Sequence, residues 1–244
     1  MAGTTPLRAA ERLVVFSAAS AAAAIGDIAD EFSRSTGITV LVSPGASSVH
    51  ARQIAAGAEA DLYISANPNW MDWADDKHLL EVNSRTTLMS NRLVLVANKR
   101  STLTGELLAA LVQATNAGRI AMGDPGHVPV GQYGKAALEY LGIWQEIRPG
   151  LARSPNAVAA ISLIARGEVS AGIVYATDVR LSNAIHVVAV FPARSHPAIR
   201  YQVAVIAGRN RPTSRKFVDA LLSRGGQKIL ASHGFLPCVD VSTC

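Results

Sequence analysis

Apolar residues along the chain change period several times, and each change marks an element. Leu13-Val14-Val15-Phe16 is a short run rich in β-branched residues, as are Ile38 to Val42 and Leu62-Tyr63-Ile64. Such runs read as buried strands. Between the first two, Ile25, Ile28, Ala29 and Phe32 fall at i, i+3, i+4 and i+7 within Ser20 to Ser35, and Gly37 follows as a stop. That spacing predicts a helix with one apolar face. The rhythm returns after Ser90 in Leu93 to Ala97, Ile120-Ala121-Met122 and Gly172 to Tyr175, each followed by a helical pattern. Strands alternating with helices predict an α/β protein of mainly parallel sheets with covered faces.

Two stretches interrupt the rhythm, the polar Asn83 to Thr87 and the Pro-containing Phe191 to Ala198. If the chain crosses between lobes at both, residues 1–86 and 199–244 form a discontinuous first lobe and residues 87–198 a second. Strand ends and helix N-termini would then face a cleft between them. The length of 244 residues allows either two such lobes or one large domain, and 49% hydrophobic with 17% charged residues excludes a disordered chain. No apolar run reaches the roughly 18 to 20 residues of a membrane span, so a soluble protein is expected. Met1 to Arg12 has no apolar segment of the signal-peptide kind, and the expectation is that Met1 to Gly3 stands in place of a removed signal.

The net charge of +5 comes from scattered Lys and Arg, with no basic stretch interleaved with aromatics, so nucleic acid is not an expected partner. A mild positive field suits a small anion better. Several strand-to-helix junctions fit that idea: Ser17-Ala18-Ala19-Ser20 and Gly45-Ala46-Ser47-Ser48 carry hydroxyl and small residues and no charge. A helix N-terminus there offers free N–H groups and the positive end of a dipole, although Ser20 and Ser48 can equally be ordinary N-caps. Gly123 to Gly131 is a turn-rich connection leading into a helix from Gln132 to Leu141. Enzyme motifs are poorly served. Gly45-Ala46-Ser47-Ser48-Val49 begins like a nucleophile elbow but lacks the final Gly, and no H-E-x-x-H, Walker A or G-x-G-x-x-G pattern occurs. His127 and His196, beside Pro-containing turns, read as hydrogen-bonded loop residues. Cys238 and Cys244 allow either a staple of the C-terminal tail or two free thiols.

Ordered motifs then become recognisable. Ala19-Ser20 before Asp27-Ile28-Ala29, Ala51 to Ala58 running into Ala60-Asp61-Leu62-Tyr63-Ile64-Ser65-Ala66, and Trp70-Met71-Asp72 are followed by Gly123-Asp124-Pro125, His127-Val128-Pro129, Gly172 to Tyr175, Phe191-Pro192 and Ser195-His196-Pro197. From about Leu13 to Leu236 the chain resembles the periplasmic molybdate-binding proteins of ABC importers, the ModA family. The resemblance implies a two-lobed periplasmic binding protein of type II with two crossovers and a ligand cleft between the lobes. It implies no catalysis and no cofactor. It also implies that molybdate or tungstate is held without a charged side chain or direct metal coordination. The implied donors are the hydroxyls of Ser20 and Ser47, with Ser48 as the neighbouring assignment, the backbone N–H groups of Val130 and Ala157, and the Tyr175 hydroxyl. The implied setting is the periplasm, with a membrane permease and its ATPase as partners and the carrier itself a monomer.

A site of donors alone suits a fully ionised dianion, because protonated phosphate brings a hydrogen that wants an acceptor. Leaving it unmatched costs about 1 to 3 kcal/mol. Three other readings stay open: a binder of another tetrahedral oxyanion such as sulfate, a regulatory ligand-sensing domain, and a serine hydrolase using Ser47. Tyr201-Gln202-Val203, where the family commonly has Pro after the aromatic, and the stiff Ser43-Pro44-Gly45 depart from the pattern.

Overall fold

A computed structural model of the chain describes residues 11–237. The elements are β1 (Arg12–Ala18), α1 (Ala22–Thr36), β2 (Thr39–Gly45), α2 (Ser47–Ala55), β3 (Leu62–Ser65), α3 (Pro68–Asp76), β4 (Thr86–Ser90) and β5 (Leu93–Asn98). They continue with α4 (Leu107–Ala117), β6 (Ile120–Gly123), α5 (Pro129–Tyr140), α6 (Trp144–Ile147), β7 (Leu151–Ser154), α7 (Ala157–Arg166), β8 (Ala171–Tyr175) and a 3-10 helix at Ala176–Leu181. Last come β9 (Ile185–Val190), β10 (Arg200–Val205), α8 (Pro212–Leu222), α9 (Arg224–Ser232) and β11 (Leu236–Pro237). Cys238, Cys244 and the first ten residues, and with them the staple and signal questions, lie outside the described residues.

The helical period is realised directly. α1 buries Ile25, Ile28, Ala29 and Phe32, and it stops at Gly37, whose φ of 74° suits glycine and whose N–H bonds to the Ser33 carbonyl. α5 begins at Pro129 rather than Gln132, because proline at the first helical position gives up no needed N–H and presets the backbone.

Two sheets organise these elements, one in the order β11-β4-β10-β3-β1-β2 and the other β7-β6-β8-β5-β9. They are mixed, not mainly parallel. β1 pairs in parallel with β2 and β3, and β6 with β7 and β8, but β10 is antiparallel to β3 and β4, and β5 to β8 and β9. The reason is the double passage between lobes. Strands of the βα units end at the cleft, whereas β5 and β10 receive the chain from the other lobe, start at the cleft and run away from it. β4, Thr86–Ser90, pairs within the first sheet, so the chain first leaves that sheet at Asn91 and Arg92, a few residues beyond the polar stretch that suggested a crossing. The Ser90 hydroxyl donates to the Ile199 carbonyl at 2.7 Å, which binds the outgoing passage to the returning one.

One apolar core runs through both lobes, from Leu13 and Ile25 to Leu93, Ile173 and Tyr201. Smaller clusters around Tyr63 and Met71 and around Val94 and Ile161 cover the opposite faces of the two sheets. Among the described residues no helix is long and apolar enough to cross a membrane.

The loop after β6 is clamped to the start of α5: a Cβ built on Gly131 would lie 2.0 Å from the Gly123 carbonyl oxygen. Backbone and backbone meet there, so no side chain can yield. Gly131→Ala is expected to cost about 1 to 3 kcal/mol or more of stability, read as a lower urea midpoint at unchanged m-value.

Candidate anion-binding site

Four strand-to-helix junctions, two from each sheet, face one another across the cleft. After β1 the chain turns through Ala19 and Ser20, with the Ala19 N–H donated to the Gly45 carbonyl at 2.8 Å and the Ala21 N–H to Ala18 at 2.9 Å. After β2, Ala46 in extended conformation precedes α2, and Ser47 is the first helical residue. After β6, Val128 precedes Pro129 at the head of α5. After β7, the Asn156 side chain caps α7 by accepting the Ala159 N–H, which leaves the Ala157 N–H pointing ahead of the helix. With Tyr175 at the end of β8, these junctions line one small cavity of about 20 Å³. That is below the roughly 300 to 1,000 Å³ of pockets for organic ligands.

Ser20, Ser47, Val130, Ala157 and Tyr175 all line this cavity, and none of its lining residues is charged. Ser48 does not line it. Its hydroxyl is turned aside into a hydrogen bond with His127 Nδ1 at 3.0 Å. Neither Ser20 nor Ser48 is an N-cap: α1 and α2 follow Ala21 and Ala46, without a side-chain cap. The two serines in the cavity are held by other partners. Ser47 Oγ accepts the Ala66 N–H at 3.0 Å, and its carbonyl accepts the buried Tyr63 hydroxyl at 2.8 Å. Ser20 Oγ lies 2.7 Å from the Tyr201 hydroxyl. No protein acceptor meets the N–H of Ser20, Val130 or Ala157 among the described residues. First-turn N–H groups have no partner within their own helix.

Tyr175 is the sharpest feature. Its ring is 1% exposed, and its hydroxyl is buried without a hydrogen-bond partner among the described residues. Burial, reinforced by the nearby Tyr201, Tyr133 and Asp178, pushes its pKa well above 10, so it stays a donor. An unmet buried hydroxyl costs about 1 to 3 kcal/mol, a penalty that a ligand oxygen in the cavity would remove. Each helix N-terminus adds about 0.3 to 1 kcal/mol for a nearby negative charge, and up to about 2 where partly buried.

One carboxyl stands behind this surface. Asp178, in the 3-10 helix after β8, is fully buried. Its Oδ2 accepts the Tyr175 N–H at 3.3 Å and its Oδ1 meets no partner among the described residues. Burial raises its pKa to about 7, offset in part by that N–H. Among the described residues no cluster of three His, Cys, Asp or Glu side chains is placed to hold a metal ion.

The lobes are stitched along one rim of the cleft. Besides the Ser48–His127 bond, Trp70 Nε1 donates to the His127 carbonyl at 2.8 Å and Asn67 Nδ2 to Gln132 Oε1 at 2.8 Å. Thus α2 and α3 of the first lobe hold the loop and helix after β6 of the second. His196 lies elsewhere, bonded through Nδ1 to the Pro197 carbonyl and packed on Tyr133. Sequence reasoning missed Tyr201, Asn91 and Asp178. Only the departure at Tyr201-Gln202 hinted at any of them.

Two lobes, two passages between them and an uncharged, donor-lined cavity in the cleft define a solute-binding protein of the periplasmic-binding-protein type. The comparisons agree: a profile described as bacterial extracellular solute-binding protein matches residues 13–236. The molybdate-binding protein ModA of Escherichia coli K12 is 42% identical over 227 residues, 92% of this chain and 88% of the relative. That of Haemophilus influenzae is 35% identical, covering 93% and 91%. The periplasmic molybdate-binding protein of Azotobacter vinelandii superposes with a TM-score of 0.81 at 23% identity, over 92% of this chain and 98% of that one. The chain belongs to the ModA family of bacterial extracellular solute-binding proteins.

Two measurements probe this geometry. The folded Asp178 carboxyl keeps its proton up to about pH 7, whereas in the unfolded chain it is lost near pH ~3.9. The folded state therefore holds the extra proton in that window, and stability falls as pH rises through it. Asp178→Asn removes the effect. Its melting temperature should match the wild type near pH 4, exceed it increasingly up to pH 7, and keep a constant lead above. His127→Ala removes one cross-cleft bond, worth about 0.5 to 1.5 kcal/mol. Anion release, followed by stopped-flow fluorescence of Trp70 at the same rim, should accelerate roughly three- to tenfold.

Proposed function

We propose that this chain captures molybdate, or its congener tungstate, in the periplasm and delivers it to the permease and ATPase of an ABC importer. The observation that carries this reading is the buried, partnerless Tyr175 hydroxyl in a cavity without charged residues, where helix N-termini from both lobes converge. The molybdate-binding relatives support the anion's identity. Ser20, Ser47, Tyr175 and the N–H groups of Val130 and Ala157 are the proposed donors, three side chains and two main-chain groups, with no acceptor for a ligand proton. A dianion entering from water exchanges its hydration shell for fixed donors, and the low-polarity walls strengthen each bond.

The lobes, the first comprising the chain up to Ser90 and from about Arg200 and the second the segment between, are proposed to close about the side-by-side passages. This is a hinge motion that buries the anion. The carrier acts as a monomer in this reading, and the permease recognises the closed pair of lobes.

Calorimetric titration of ligand-free protein with molybdate, tungstate, sulfate and phosphate tests the assignment. Molybdate and tungstate should bind far more tightly than phosphate. Tight sulfate binding with no response to molybdate would overturn the choice of anion. Ser20→Ala, Ser47→Ala and Tyr175→Phe should each weaken molybdate binding by about 1.5 to 3 kcal/mol, the range for hydrogen bonds to a charged group. An unchanged affinity removes that residue from the donor set.

A further inference from the structure

Behind Ser20 lies a chain of hydrogen bonds that runs from Tyr201 to Asn91. The Tyr201 hydroxyl belongs to a ring with no exposed surface and has two partners, Ser20 Oγ at 2.7 Å and Asn91 Nδ2 at 3.5 Å. The Asn91 amide is oriented by its other end, because Oδ1 accepts the Arg92 N–H at 2.9 Å. The nitrogen facing Tyr201 is therefore a donor only. With its oxygen facing the Asn91 donor, Tyr201 is set to give its own hydrogen to Ser20, an arrangement that leaves the Ser20 hydrogen for the cavity. Burial also keeps the Tyr201 hydroxyl protonated.

Asn91 is also the residue at which the chain leaves the first sheet. The same Nδ2 donates to Thr177 Oγ1 at 2.8 Å, two residues past Tyr175 at the end of β8. Ser20 in one lobe and the strand end carrying Tyr175 in the other are thus joined through a single amide at the passage between lobes.

We propose that Asn91 and Tyr201 are positioning residues for anion capture, fixing the Ser20 hydroxyl as a donor and linking it, through the inter-lobe passage, to the strand end that bears Tyr175. The proposal rests on the oxyanion-binding reading above. Neither residue touches the anion. In their absence the Ser20 hydroxyl turns freely and can present a lone pair to the ligand, which weakens a dianion and tolerates a protonated one.

Tyr201→Phe is the variant of choice, because the ring keeps its edge contacts with Tyr175 and Phe235, at centroid distances of 5.7 and 5.3 Å. Wild type, Tyr201→Phe, Ser20→Ala and the double variant are titrated with molybdate and phosphate, with thermal melts confirming folding. Tyr201→Phe should weaken molybdate about tenfold and narrow the molybdate-to-phosphate ratio, and in the Ser20→Ala background it should cost less than about twofold. Unchanged molybdate affinity, or an equal loss in both backgrounds, overturns the relay. A loss of binding confined to ring packing would persist without the serine. If wild type ignores molybdate but binds tungstate or sulfate, the anion choice fails and the relay is judged by the same cycle on the anion that binds. If wild type binds none of these anions, the oxyanion reading falls and takes the relay with it.

Discussion

A doubly charged anion leaves water only if donors meet its oxygens on every side and nothing negative stands close by. That demand accounts for most of what is unusual in this molecule. It explains why strand-to-helix junctions of both lobes converge on one point, why their lining residues are small and uncharged, and why a tyrosine hydroxyl is buried without a partner. Small residues at the junctions let main-chain N–H groups approach the centre. Charged side chains would bring counter-charge but also acceptor carboxylates or flexible ammonium groups, and neither gives a fixed tetrahedral set of donors.

The same demand reaches past the cavity wall. A hydroxyl can donate or accept, so a site built from serines is selective only if their hydrogens are directed. Ser47 accepts a backbone N–H, and in the proposed relay Ser20 is directed by a buried tyrosine hydroxyl. Asp178 fits the pattern from the other side. A carboxyl so near Tyr175 is tolerated because burial raises its pKa to about 7, so that it is largely neutral in mildly acidic solution.

How much of this is legible in the chain depends on the range of the interaction. Ile25, Ile28, Ala29 and Phe32 declare their helix because the period is local. The glycine and proline of the loop after β6 declare a turn for the same reason. Strand direction was misjudged because βα alternation says nothing of β5 and β10, whose sense is set by where the chain enters each lobe. Ser20, Ser47 and Tyr175 could be named through family motifs, and the structure brings them to one cavity. Ser48 was separable from Ser47 only once its bond to His127, 79 residues away, was visible. Asn91 and Tyr201 lie 110 residues apart, and no periodicity links them. The Asp178 carboxyl, an ordinary acidic residue in a turn by its sequence, owes its altered acidity wholly to tertiary burial.

The proposed use of main-chain N–H groups at Val130 and Ala157 has a broader consequence. In that proposal their side chains take no part in charge recognition, yet both residues line the cavity. Cavity radius and charge pattern are therefore controlled by different atoms. A lineage, or a designer, can widen or narrow the chamber by adding or trimming methyl groups at these two positions while every donor stays in place. Oxyanions of equal charge but unequal bond length would become neighbouring settings of one dial, reached by single aliphatic exchanges rather than by rebuilding the site.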